Sequence, residues 1–125
     1  MCLNSDKILA NRSFEELLLE AVNEGLSSLG NSCQQAIYFH LEKTFKINKL
    51  DIPYKIEEFT DAIEKIFGLG AKYLEILIME RLFEKIGRVI EYEQEDLVFT
   101  EYMAAARQSF LKKKKERFFR HGNNL

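Results

Sequence analysis

Apolar positions recur along this chain at helical spacing almost everywhere. Ser13 with Glu16 reads as a capping box, in which hydroxyl and carboxylate each satisfy a free backbone donor. "FEELLLEAVNEGLSSL" then places Phe14, Leu17, Leu18, Ala21, Val22 and Leu29 on one broad face. Gly30 is positioned to end this helix, because glycine takes positive φ without strain. Ser32 with Gln35 reads as a second capping box. In the helix that follows, Ala36, Ile37, Leu41 and Phe45 should turn inward. Pro53 punctuates a loop at "INKLDIPY".

"KIEEFTDAIEKIF" is the cleanest amphipath. Its Ile56, Phe59, Ala62, Ile63, Ile66 and Phe67 fall within an arc of roughly 140°. "GLG" at 68–70 stops it. The next helix has four consecutive apolar residues, Ile76 to Met79, covering most of its circumference. That predicts a buried central helix, or one shared with a partner subunit. Gly87 ends it. "RVIEYEQEDLVF" is the one strand-like stretch, with Ile90 and Tyr92 alternating with Glu91 and Glu93. It leaves room for a short β-hairpin between residues 88 and 99, against a helical or irregular connection. A last helix starts near Phe99, with Phe99, Met103, Ala106 and Phe110 as its inner stripe. The expected helices are 14–29, 33–46, 55–67, 71–86 and 99–111. The expected class is all-α, a single-domain bundle of about five helices. Residues 1–12 would form an N-terminal extension, 13–111 the helical domain and 112–125 a basic C-terminal tail.

Composition supports one packed domain. The chain has 125 residues, 46% of them hydrophobic, with ten Phe and one Pro. No apolar run reaches the roughly 18 residues a membrane span needs. The first residues lack the basic-then-apolar order of a signal peptide. Two cysteines, Cys2 and Cys33, are too few for a disulfide framework. The expected setting is the reduced cytoplasm.

Charge changes the picture more. The net charge is −2, but its distribution is uneven. From Arg107 onward there are seven Lys/Arg and one Glu, whereas residues 1–106 hold eleven Lys/Arg and nineteen Asp/Glu. An acidic body with a basic end is not the footprint of a general nucleic-acid binder. Lys112, Lys113, Lys114 and Lys115 point in four directions on a helix, so they cannot continue an apolar stripe. The helix should leave the body or fray there. A solvated helix end, favoured by the dipole, needs no partner. That is the leading expectation, and Phe118 and Phe119 beyond the lysines keep a contact open beside it. The candidate partner-binding set is therefore Lys112, Lys113, Lys114, Lys115, Arg117, Phe118, Phe119 and Arg120. The acidic surface of a protein is the partner expected for it, and nucleic acid or anionic lipid stands behind that.

Candidate chemistry is sparse. Cys33 and His40 share a helix face two turns apart, roughly 10 Å, which is too far for a nucleophile–base pair. Both are expected to belong to the core. Glu57, Glu58, Asp61 and Glu64 form an acidic ridge. Paired carboxylates do acid–base work only in a cleft that raises one pKa, and this ridge is expected to be solvated surface. "GLGAK" with Lys72 has the flavour of a phosphate loop, but lacks the G-x-x-x-x-G-K-[ST] spacing and a preceding strand. It reads as a tight interhelical turn. No catalytic residue, cofactor or metal site is expected.

Residues 35–87, through "AIYFHLEK", "IP" followed by "EEF", and "IFGLGAKYLE", resemble a small archaeal family of unknown biochemistry, the Nitrosopumilus output-domain type. The family occurs alone or beside sensor and signalling modules. The resemblance implies a helical signalling or interaction module and no activity. The expected function is thus a non-enzymatic interaction or signalling-output module, as a homodimer. The alternative is a DNA-binding regulator of winged-helix type, with 71–86 as recognition helix and 88–99 as wing. That helix mixes Lys72, Arg81 and Lys85 with Glu75, Glu80 and Glu84 and so has no basic face, and the wing is acidic and would repel phosphates.

Overall fold

The computed structural model describes residues 12–87 and 98–123, with 116–123 as helical backbone. It is an all-α bundle of five helices: α1 (Phe14–Ser27), α2 (Asn31–Thr44), α3 (Ile56–Phe67), α4 (Ala71–Ile86) and α5 (Phe99–Asn123). Short 3-10 helices at Lys49–Tyr54 and Gly68–Gly70 join α2 to α3 and α3 to α4. There is no strand among the described residues. The hairpin considered for 88–99 falls on residues outside those described, apart from Val98 and Phe99.

The centre of the bundle is the α1–α4 pair, the most extensive helix contact in the molecule. Its closeness has a local cause. A Cβ built on Gly25 would lie 2.7 Å from Cγ1 of Ile78, so the α1 backbone approaches α4 as nearly as a residue without a side chain permits. Ile78, Met79 and Leu82 are fully buried at this seam, with Leu18, Ala21, Val22 and Leu26 opposite. α4 is therefore the central helix its apolar circumference predicts. Ile76 and Leu77, on its far side, are half-buried. α3 and α5 pack on the other flanks of α4 and on each other, while α2 packs on α1.

Several local expectations hold. The Ser13 hydroxyl accepts from the Glu16 backbone N–H at 3.1 Å and caps α1. Gly87 ends α4 in the left-handed conformation, φ 73° and ψ 33°. All of Phe99, Met103, Ala106 and Phe110 are buried. Other expectations are corrected. α1 stops at Ser27, and Leu29 lies outside it and exposed, because Leu26 completes the buried stripe one turn earlier. α2 begins at Asn31 after Gly30, whose φ of 101° no side chain adopts easily, so Ser32 and Gln35 lie within the helix and no side chain caps it. Ala36 is exposed, leaving Ile37 and Leu41 as the buried residues of α2. Pro53 sits inside a 3-10 helix with Ile52, both buried, where its fixed φ is tolerated.

α5 does not end at Leu111. It runs unbroken through all four lysines to Asn123. A helix of that length spans roughly 36 Å at 1.5 Å per residue. No described helix is long and apolar enough to cross a membrane.

Candidate functional site

The geometry separates two regions that carry charge in unusual form. The first is the far half of α5. Lys112, Lys113, Lys114 and Lys115 are all exposed. Lys113 turns onto the end of α4, where its ammonium donates to the carbonyls of Ile86 (3.4 Å) and Gly87 (3.3 Å). Those carbonyls carry the negative end of the α4 dipole. Lys113 thus meets the bundle through polar backbone, not through the apolar core. Lys114 lies over the Phe110 ring, 5.7 Å from its centroid. Lys112 and Lys115 have no partner among the described residues. The side chains of Arg117, Phe118, Phe119 and Arg120 lie outside those described.

The second region is a cleft of about 650 Å³ between α3, the Gly68–Gly70 turn, α4 and the start of α5. Glu57, Asp61 and Glu64 of the predicted acidic ridge line it, together with Glu75 of α4. Glu58, the fourth ridge residue, is exposed and does not line it. The ridge is thus one wall of a cleft as well as exposed surface. It takes that role because "GLG" reverses the chain and lays the first turns of α4 beside α3. Glu75 is 7% exposed. Its carboxyl is held above the usual carboxylate range, first by burial and then by the charge of Glu64, against the opposing pull of Lys72. Thr60 at the cleft floor spends its hydroxyl on the Ile56 carbonyl at 2.7 Å.

Formal charge decides what such a cleft favours. Four carboxylates face one lysine, Lys72, and the amino end of α5 at Phe99 and Thr100. A helix N-terminus supplies only about half a positive charge. The balance stays negative, so the cleft attracts cations and repels phosphate. "GLGAK" is accordingly a turn in an acidic wall. Its Leu69 is fully exposed at the rim, with Val98 and Tyr73 also largely exposed.

Cys33 is half-buried against the core with a free thiol. His40 is not a core residue, contrary to the sequence expectation. It is exposed, with Nδ1 3.0 Å from the Thr44 hydroxyl and its ring edge-on to Phe45. The helical wheel put it beside Leu41, but the α2 face that meets α1 runs through Gln34, Ile37, Tyr38 and Leu41 and leaves His40 outside. No group of three or more metal-ligating side chains occurs among the described residues.

Sequence reasoning missed Glu75, since on α4 it read as one charge in a mixed row. Its position four residues after Ala71, itself buried, was the available signal. No family model matches this chain, and neither the curated proteins nor the solved structures include one that matches it.

Proposed function

We propose that this chain is a non-enzymatic helical interaction module that works by self-association in a signalling context. The observation that carries the reading is the polarity of α5. One continuous helix starts at an acidic cleft and, past its midpoint, carries a lysine cluster exposed outside the core. Opposite charges at opposite ends of one rigid rod are complementary between molecules and out of reach within one. The resemblance of residues 35–87 to the archaeal output-domain family supports the signalling context. The winged-helix alternative finds less support, because α4 is packed on three sides and its exposed residues mix Lys72 and Arg81 with Glu80 and Glu84.

The test is sedimentation velocity of the full chain at micromolar concentration, in low and high salt. A dimer that weakens with salt is expected, since exposed charge pairs are screened beyond about 8 Å at physiological ionic strength. A chain that stays monomeric at every concentration and salt rejects the reading. Retardation of duplex DNA at low salt would favour the alternative.

A further inference from the structure

The cleft and the basic segment fit each other in charge, reach and register. Two carboxylates held close together, Glu64 and the largely buried Glu75, favour an incoming ammonium because the cation offsets their mutual repulsion. Among the described residues, Lys72 is the cation that lines the cleft. Lys112 to Lys115 lie 13 to 16 residues along α5 from Phe99, roughly 20 Å or more from the cleft. An unbroken helix cannot fold back over that distance. If this lysine segment is to reach such a cleft, it must be the segment of another molecule.

The outer face of α5 shows how. Glu101, Ala104, Ala105, Gln108, Leu111, Lys112 and Lys115 recur at helical spacing and are all exposed. Two copies of α5 laid antiparallel and centred on Gln108 bring Glu101 opposite Lys115 and Ala105 opposite Leu111. The alanines permit close approach of the two backbones. In the same register Val98, at the cleft rim, comes opposite Phe118. Antiparallel pairing also sets the positive end of each helix dipole beside the negative end of the other. The arrangement is isologous, so it closes at two copies instead of growing into a filament.

We infer that the acidic cleft is the receptor for the basic C-terminal segment, residues 112–120, of a second copy of this chain, delivered by antiparallel pairing of the two α5 helices. The ammonium groups seat against Glu64 and Glu75. This rests on the self-association proposed above and adds where the contact is made.

Charge reversal in the full chain tests it. One variant reverses the cleft (Asp61→Lys/Glu64→Lys). The other reverses the segment (Lys112→Glu/Lys114→Glu/Lys115→Glu) and spares Lys113, which caps α4. Each alone should self-associate at least about tenfold more weakly than the unaltered chain. Mixed, they should form a one-to-one heterodimer, because both contacts again pair opposite charges. Restoration also shows that both variants are folded. A second measurement is independent of charge. With Cys2→Ser and Cys33→Ser in place, Gln108→Cys should oxidise to a disulfide-linked dimer, and Ala104→Cys should not. A dimer that survives cleft reversal, or a mixture that stays unassociated beside an unaltered dimer, overturns the placement and leaves self-association standing. A monomer in the unaltered chain overturns both.

Discussion

The two flanks of α4 are built on opposite terms. On the α1 side the acidic groups lie against cations, although Oε2 of Glu24 is buried without a hydrogen bond of suitable geometry. Gly25 admits Ile78, and the charges above the seam are paired. Lys85 reaches Glu20 at 3.0 Å and Glu24 at 2.5 Å, while Arg12 pairs with Glu20 and Glu16. On the α3 and α5 side, Glu75 is largely buried, and Glu64 on the wall beside it adds like charge against the opposing charge of Lys72. Both flanks carry buried or half-buried acidic groups. The difference lies in what dominates at the carboxyl: Arg12 and Lys85 on the first flank, burial and Glu64 on the second. Glu20 is pulled below the usual carboxylate range, first by its hydrogen bond from Arg12, against burial and with help from Lys85. Glu75 is pushed above it. A folded chain tolerates the second arrangement at a cost in stability.

The comparison breaks most visibly at the α1–α4 seam. Gly25→Ala should destabilise by about 1–3 kcal/mol through overpacking, less up to about 1 kcal/mol from the better helix propensity of alanine. Ile78→Ala should cost about 2–5 kcal/mol. In the Ile78→Ala background, Gly25→Ala should turn neutral or stabilising, because the atom it strikes is gone. Denaturant titration of the four chains reads this coupling. Strict additivity would show that the 2.7 Å approach does not govern the seam.

Removing the cation that distinguishes the two flanks is next in size. Lys85→Met should cost about 1–2 kcal/mol at neutral pH, by leaving Glu20 and Glu24 without their shared partner in a half-buried site. Burial alone would lower the Lys85 pKa, but Glu24 and then Glu20 outweigh it and raise it. The Glu20 contribution has a definite pH window. Its folded pKa is depressed, so the unfolded state binds more protons in acid. That stability is full above the unfolded carboxylate pKa and is lost as pH falls through the folded value. Lys85→Met should flatten this acid limb, measured by melting temperature against pH.

The smallest effect has the opposite sign. Glu75→Gln should leave the chain equally or more stable at neutral pH, by a few tenths to about 1 kcal/mol. Here the folded state binds the proton more tightly than the unfolded one. Stability is therefore undiminished below the unfolded carboxylate pKa and falls as pH rises through the raised folded value. The variant should lose that fall and nothing else. A drop in melting temperature at neutral pH would mean that the Glu75 carboxylate is satisfied, and that the two flanks of α4 are alike.

Much of the fold was legible because it depends on spacing along one chain. Residues 56–67 carry their apolar arc in any environment, and Phe99, Met103, Ala106 and Phe110 define a helix face before anything packs on it. The four apolar residues at 76–79 forced α4 to the centre, since no exposed helix keeps them in water. The ridge of Glu57, Asp61 and Glu64 was equally legible as a row of charges.

Tertiary structure decided what those rows face. Spacing cannot tell a solvated ridge from a cleft wall, because that depends on where "GLG" swings the next helix and which α4 residue arrives opposite. It brought Glu75 there, beside Glu64. Likewise the four lysines read alike in sequence, and only the end of α4 singles out Lys113 as a cap. Gly25 reads as a weak point in a helix until Ile78 occupies the space its missing Cβ leaves open. Periodicity is a property of one helix and is written locally. Partnership is a property of two, set by distances that no local rule encodes.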